Sequence, residues 1–352
     1  MNIHSNNGYK EIADTLEKRI VAGTYGLRLP TTGKLCTEYS VSNVTMQRAI
    51  KVLKERNIVN AAPRRGIHPT RLKRPRTHVI GVVLPGSHAP LHDQLIHGIG
   101  NRANSRSELI VMSPGTDGDS RKEIIQIREL VEKKGVDGVI LWPSLEYGTQ
   151  SPAVVYLKEE RIPFVLVPES SLETYSDCHT VSNTDSEGGA KVMEHLFALG
   201  HKKIAFVTNR SFEKSIFNKH RQDHYMNLMI AKGLKPLDPL YIDDIKGKEG
   251  FFSKVSAVFC VNDGIAIEVL KHCLSVGIRI PRQLGIAGYD NIQTAKDMCL
   301  TSIEQHFGKM GKLAVDTLLG EIEGEFESPR HLNVKSELVV RASTEGEVEF
   351  RK

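Results

Sequence analysis

Asn43, Thr45, Gln47, Arg48 and Lys51 fall on one side of a helix that starts just after Ser42. Their side chains donate and accept hydrogen bonds, two carry positive charge, and none is a carboxylate. Amides and cations presented in this way match the donor and acceptor pattern of base edges in the major groove of DNA. The opposite side is apolar. Met46, Ala49, Ile50 and Leu53 stand at i, i+3, i+4 and i+7, the spacing of a buried helical stripe. Ser42 is well placed as the N-cap. One buried face and one face of amides and cations suit a groove-reading helix.

Such a helix needs a small scaffold. Tyr9, Ile12, Leu16 and Ile20 repeat at helical spacing, and Gly23 ends that run. Leu27–Pro30 is a short connector. Thr31 or Thr32 can cap a second helix that buries Leu35 and Tyr39. Asn57–Asn60 and Gly66–Pro69 can pair as strands around Ala61–Arg65. Helix, helix, helix, hairpin is the order of a winged helix-turn-helix, here over residues 1–67. Charge agrees with this division. Residues 1–78 hold 15 Lys+Arg against 5 Asp+Glu, while the remainder holds 32 against 37. A basic module joined to a mildly acidic one points to a polyanion partner for the first part. Residues 68–78, with two prolines and four Arg/Lys, read as a linker lying over phosphates and adding salt-dependent, sequence-blind affinity.

From Val79 the pattern changes. Apolar runs at His78–Leu84, Leu109–Met112, Val136–Leu141, Phe164–Val167, Ile204–Val207, Ala257–Val261 and Leu284–Ala287 read as buried parallel strands. Helical stretches lie between them at 91–104, 121–134, 152–160, 185–199, 216–232 and 263–276. This alternation is a doubly wound α/β pattern over 79–345. Ligands in such folds sit beyond the carboxyl ends of the strands. Asn262–Asp263, Tyr289–Asn291 and the loop Pro85–His92 occupy such ends.

Residues 9–67 resemble the DNA-binding domain of the GntR family of bacterial transcription regulators. The matching residues are Tyr9, Ile12, Leu16, Ile20, Gly23, Leu29, Pro30, Leu35, Tyr39, Val41, Ser42, Thr45, Arg48, Ala49 and Gly66. The resemblance implies a dimer with each recognition helix in a major groove and the wing near the minor groove. The expected DNA-facing set is Ser42, Asn43, Val44, Thr45, Gln47 and Arg48 on the helix, with Arg64, Arg65 and Gly66 in the wing. Gly33, Asn43 and Gln47 stand where that family usually has arginines. Asn and Gln pair with adenine as Arg pairs with guanine, so the half-site expected is richer in A·T. The other reading is a weakened reader held mainly by Arg64 and Arg65.

Residues 76–344 are similar to the effector-binding domain of the LacI/GalR repressors, which is related to periplasmic sugar-binding proteins. The resemblance rests on Arg76–Pro85, Val136–Ile140, Ile162–Pro163, His195–Leu196, Leu199–Ile204, Asn262–Asp263, Ile280–Pro281, Gly288–Asn291, Leu300–Ile303 and Leu338–Ser343. A GntR-type reader fused to a LacI-type sensor resembles the architecture of the arabinose-responsive repressors of bacilli. The family implies two subdomains joined by three crossovers, near 167–170, 288–292 and 304–307, with a small molecule clamped between them. Arg221 and Asp290 would be the principal polar grips, a fork of donors and a two-hydroxyl acceptor that suit a sugar. Asn262 would either add a hydrogen bond or cap a helix. Gln305 and Phe307 lie on the third crossover, and His88, Leu91 and His92 complete the expected effector set. Leu91 and His92 replace aromatics common in that family, and Pro168 with Glu169 replaces an aspartate. The segment between Leu237 and Ser256 is short, and Trp142 is the only tryptophan. These departures point to a less aromatic pocket, or to a ligand other than a simple hexose.

No Walker loop or Gly-x-Ser-x-Gly elbow occurs. Gly98–Ala103 spells a dinucleotide-like Gly-x-Gly-x-x-Ala string, but inside a helix rather than after a strand. His88, His92 and His97 are near in sequence, yet Pro90 intervenes and only Asp93 is a nearby carboxylate. His220 and His224 flank Arg221. Five scattered cysteines without CxxC spacing read as reduced thiols. No apolar run approaches a membrane span, and the N-terminus lacks the pattern of a signal peptide. The expectation is a multidomain protein: an α/β winged helix-turn-helix, then a doubly wound α/β periplasmic-binding-protein-like domain of two subdomains. It is a cytoplasmic, homodimeric transcription regulator rather than an enzyme, a repressor of carbohydrate-use genes. It reads a palindromic double-stranded DNA operator and responds to a sugar or sugar derivative. No cofactor, metal or membrane is expected. Two further readings stay open: a DNA-binding protein whose degenerate sensor is only a dimer scaffold, and a soluble small-molecule-binding protein.

Overall fold

A computed structural model describes residues 8–346, apart from 22–23, 26–28, 57, 63–65, 70–75, 87–89, 145–149, 168–171, 184, 211–215, 246 and 248. The chain divides into two compact units, Met1–Thr77 and His78–Lys352.

In the first unit, α1 (Gly8–Val21), α2 (Thr32–Tyr39) and α3 (Asn43–Glu55) precede an antiparallel hairpin of β1 (Val59–Ala62) and β2 (Gly66–Pro69). Thr31 caps α2 by accepting from Lys34 N–H. Ser40, in the left-handed region at φ 52°, ends α2 and starts the tight turn into α3. Ile12, Leu16 and Ile20 of α1 close on Leu35, Met46, Ala49, Ile50 and Leu53, as the helical spacing required. Each such aliphatic side chain contributes about 1.5–3 kcal/mol on burial. β1 begins two residues later than its sequence pattern suggested, because Val59 is the side chain that reaches this core, opposite Pro69. Leu29 N–H donates to Ile67 O at 2.8 Å, so the connector flanks the wing. Arg56, just past α3, reaches Asp14 and Glu17 of α1 at 2.5 and 2.7 Å, a surface tie between the two helices. Gly23 lies outside the described residues.

The second unit holds two parallel sheets. The larger contains β3 (Val79–Val83), β4 (Leu109–Met112), β5 (Gly138–Leu141), β6 (Phe164–Leu166), β7 (His179–Asn183) and β13 (His331–Val334), in the order β13-β7-β6-β5-β3-β4. The smaller contains β8 (Ile204–Thr208), β9 (Leu240–Tyr241), β10 (Ala257–Cys260) and β11 (Gly285–Ala287), in the order β11-β10-β8-β9. A short antiparallel pair, β12 (Ser302–Glu304) with β14 (Glu337–Val339), joins the smaller sheet through a bridge from Thr301 to Ala287. Helices flank both sheets. Those that matter below are α4 (Pro90–Ser105), α8 (Asp185–Ala198), α9 (Ile216–Ala231), α11 (Asp263–Ser275) and α13 (Phe307–Glu323). Among its described residues, the trimmed segment before Ser256 holds a 3-10 turn, Ile242–Asp244, and one α-helical turn, Glu249–Phe252.

Three expectations are corrected. The run Leu109–Met112 forms a strand, but an edge strand rather than a buried one, with Leu109 67% exposed. An apolar run identifies a strand without saying which rank it takes in the sheet. Two of the three crossovers also lie elsewhere. Residues after Val167 return to the larger sheet as β7, and Gly288–Ile292 stays within the smaller subdomain, where Tyr289 and Ala295 join its core. The crossings run from β7 to α8, through residues 304–307, and from β13 to β14. Only 304–307 falls where the resemblance placed it. Polar β7 and β13 gave no apolar run from which the other two could be placed.

The first glycine of the Gly-x-Gly-x-x-Ala string is explained by packing, whereas Gly100 faces open space. Gly98 lies within α4, and a Cβ there would sit 2.1 Å from the carbonyl oxygen of Gly308. A Cβ on Gly311 would come within 2.5 Å of Leu95 O. Helices α4 and α13 therefore meet backbone to backbone.

Candidate functional site

On α3 the apolar stripe faces the core, which leaves the polar face outward. Asn43, Val44, Gln47 and Arg48 are exposed and Thr45 is half-buried. Ser42 accepts from Thr45 N–H at 3.2 Å, and the two hydroxyls lie 2.9 Å apart. Capping thus uses the Ser42 oxygen, while among the described residues no side-chain hydrogen bond engages Asn43 or Gln47. Val44 is 65% exposed, an apolar group of the kind that contacts a thymine methyl. Gly33 is exposed near the start of α2, and a Cβ there would meet nothing within 4 Å. Its missing side chain is therefore not excluded by sterics. Gly66 opens β2 at φ 88°, a conformation that suits glycine. Arg64 and Arg65 lie outside the described residues.

In the second unit, polar side chains converge from the strand ends. Arg221, in the second turn of α9, is almost fully buried. Its Nη1 donates to Val261 O at 2.8 Å, and its guanidinium lies 3.7 Å from the centre of the Tyr289 ring. The same nitrogen is 3.7 Å from Asp290 Oδ1. Asp290 follows β11 at φ 107° and accepts from Gln305 Nε2. Gln305 Oε1 accepts in turn from Asn183 Nδ2 at the end of β7. A hydrogen-bonded series therefore runs from the larger subdomain, through the crossing at 305, to the ion pair of the smaller one. Asn183, Gln305, Asp290 and Arg221 are all buried. Burying such groups is costly unless they are hydrogen-bonded.

A second group gathers at strand ends of the larger sheet. His92 is buried and its Nδ1 bonds Gly86 O. Its ring meets Trp142 edge-on, 4.8 Å between centres, and Trp142 stacks on Phe307 at 5.9 Å and 11°. Burial pushes the His92 pKa down, favouring the neutral imidazole. Leu91 packs beside this group on the core of the larger sheet. These rings come from three separate segments rather than from one loop. Asn262 resolves toward capping: its Oδ1 accepts from Ile265 N–H at 2.9 Å at the start of α11. His88 and Pro168 lie outside the described residues. Trp142, Asn183 and Tyr289 belong to these clusters and were not singled out as site residues. Position beyond the carboxyl end of a strand was the available signal for Trp142 and Asn183. Among the described residues no three His, Cys, Asp or Glu side chains gather as a metal site would need, and no helix is long and apolar enough to cross a membrane.

These two regions define the class of protein. Residues 8–68 match the bacterial regulatory proteins of the gntR family, and residues 193–344 match the periplasmic binding protein-like domain. The chain is a DNA-binding transcription regulator in which a gntR-family helix-turn-helix module precedes a periplasmic binding protein-like domain. Among curated relatives, the HTH-type transcriptional regulator DegA of Bacillus subtilis is 26% identical over 338 residues, covering 92% of this chain and 96% of that protein. The HTH-type transcriptional repressor PurR of Aliivibrio salmonicida is 27% identical over 314 residues, covering 86% and 91%. Among solved structures, a complex of the transcriptional regulator CelR with cellobiose superposes with a TM-score of 0.65 at 21% identity, covering 92% of this chain and 98% of that one.

Proposed function

We propose that this chain is a cytoplasmic, homodimeric repressor of carbohydrate-use genes, without enzymatic activity, released from its operator by a sugar-like effector. The observation that carries the effector reading is the buried series Asn183–Gln305–Asp290–Arg221, which links both subdomains across one crossing. Arg221 and Asp290 offer donors and an acceptor to neighbouring hydroxyls. Trp142 and Phe307 offer the flat apolar face against which a sugar ring packs. CelR, which shares the fold, holds the disaccharide cellobiose; that supports a sugar here without naming it.

Binding strengthens one arrangement of the subdomains at the expense of another. Shifting such an equilibrium from 1:99 to 99:1 takes about 5.5 kcal/mol of differential affinity, shared by the two sites of a dimer. The changed arrangement alters how two winged modules meet half-sites about 34–36 Å apart. The apolar edge of β4, with Leu109 and Met112 exposed, lacks the charges that usually protect a sheet edge and supports pairing with a second copy. On the DNA side, Ser42, Asn43, Val44, Thr45, Gln47 and Arg48 read bases, and Arg64, Arg65 and Gly66 contact the backbone or minor groove.

The test is a gel-shift titration on an operator obtained by random-site selection, run with and without a panel of pentoses, hexoses and disaccharides. The expected outcome is a palindromic, A·T-rich site released by one member of the panel. A G·C-rich core half-site sinks the base-preference reading. Tight operator binding that no sugar alters, with no thermal shift from any, favours a sensor reduced to a scaffold.

A further inference from the structure

Asp263 is the first residue of α11 and is wholly buried, and its carboxylate makes no hydrogen bond to Arg221, Asp290 or Gln305. Its Oδ2 accepts from Ile292 N–H at 2.9 Å and its Oδ1 from Ser302 Oγ at 2.6 Å. Its own N–H donates to Tyr289 O at 2.8 Å. A Cβ on Gly288 would lie 2.2 Å from Asp263 Oδ1, so the carboxylate packs directly against the main chain there. These contacts bracket the loop Gly288–Ile292. Inside that loop Asp290 and Asn291 both have positive φ, 107° and 49°. Strained residues of this kind persist only where the surroundings over-determine them. Ser302 Oγ also accepts from Asn291 N–H at 3.0 Å, and Ser302 lies on β12, which leads into the crossing at 304–307. One carboxylate thus fastens the strand end, the strained loop and the strand entering the hinge.

We infer that Asp263 is a positioning residue for effector binding: its ionised carboxylate holds the Gly288–Ile292 loop in the form that presents Asp290 to Arg221 and Gln305. The inference rests on the reading of Arg221 and Asp290 as effector grips. Both carboxylate oxygens act as acceptors. A proton on Oδ2 opposes the Ile292 N–H, and a proton on Oδ1 displaces the Ser302 hydroxyl hydrogen; either removes the negative charge that strengthens both bonds. The latch is then weakened. The charged and titratable groups around it are few. Arg341 donates to Asn291 Oδ1 at 2.7 Å and to Leu300 O at 2.6 Å. Glu304 accepts from Asn291 Nδ2 at 2.6 Å, Asp290 follows in the loop, and the buried Cys260 thiol lies on β10. Burial pushes the Asp263 pKa up to about 7, against the pull of the Ser302, Ile292 and Tyr289 hydrogen bonds and of Arg341. Its ionised fraction therefore rises about tenfold between pH 6 and pH 8.

Amide hydrogen exchange on the full chain without ligand tests the latch directly. Corrected for intrinsic rates, protection of residues 288–292 is expected to rise about tenfold from pH 6 to pH 8 in the wild type. In Asp263→Asn, whose amide group cannot accept at both positions, protection should be low and flat across that range. Wild-type protection that does not change with pH, or an Asp263→Asn profile like the wild type, overturns the inference. The wild-type series decides alone if the variant does not fold. Calorimetric titration with D-ribose and cellobiose runs beside it. A Kd that tightens about tenfold over the same range in the wild type, but not in Asp263→Asn, supports the positioning role, and equal slopes overturn it. Failure of both sugars to bind counts against the sugar reading, while the exchange result still decides the latch.

Discussion

The exposed polar side of α3 and the buried cluster at the crossing of the second unit use similar side chains in opposite ways. On α3, Asn43, Gln47 and Arg48 stand apart on an exposed face whose support comes wholly from the apolar stripe behind it. At the crossing, Asn183, Gln305, Asp290 and Arg221 are buried and bonded in series. An amide on α3 is thus free to be exchanged for another without cost to the fold. An amide at the crossing is a structural member as well as a contact. Recognition of DNA and response to a ligand should therefore separate under mutation, the first residue by residue and the second as a unit.

The hardest test of that contrast is Arg221→Ala. Removing one partner of a buried ion pair leaves Asp290 uncompensated, a cost of about 3–5 kcal/mol. Denaturant unfolding should register it in the second unit, calorimetry should find effector binding lost, and gel shift should find operator affinity kept. Loss of operator binding instead would make Arg221 structural for both units. Next comes Met46→Ala on the buried side of α3. A cavity there should cost about 2–5 kcal/mol and abolish DNA binding through unfolding of the first unit. Gln47→Ala, one residue on, should leave the melting temperature unchanged and relax base preference at one position by about 1–3 kcal/mol. Equal destabilisation by the two would break the comparison. A smaller gain is expected from Gly33→Arg. Open space around Gly33 lets the new guanidinium reach a phosphate, steepening the salt dependence of log K by about one unit. An unchanged slope means the start of α2 lies away from the backbone.

The smallest effect is in pH dependence. Burial lowers the pKa of His92, and also of His195 and His201. Above the unfolded value near ~6.5 these rings are neutral in both states, and their stabilising contribution is complete. As pH falls from there, the unfolded chain takes up protons that the folded one resists, so stability drops until the folded values are passed. His92→Phe should make that acid-side loss shallower in a series of denaturant melts. An identical profile would remove His92 from the account.

Much of this was legible beforehand because periodicity is a local property. The stripe Met46–Leu53 gave α3, and apolar runs gave seven of the parallel strands to within a residue or two. What escaped depends on partners distant in sequence. His179–Asn183 is mostly polar yet forms a strand between two neighbours. Nothing in Leu109–Met112 distinguishes an edge from a centre. The two misplaced crossings follow from those sheet assignments. Arg221, Asp290, Gln305 and Phe307 were named through resemblance, and the structure brings Arg221, Asp290 and Gln305 together and sets Phe307 against Trp142, whereas the parts of Asn183 and Trp142 in these clusters became apparent only when distant segments met. Asn262, left open between two roles, shows its oxygen engaged in capping.

The glycine contact between α4 and α13 has a consequence for motion. With Gly98 against Gly308 and Gly311 against Leu95, no side chain lies at the centre of that crossing to slide or repack. The two helices form a stiff lever, and α13 begins at Phe307, two residues past Gln305. Any swing of one subdomain against the other through this connection must pivot on the two or three residues before it, where His306 already sits at φ 58°. The fulcrum is short and the arm is long, so a small torsional change there becomes a large displacement at the far end of α13.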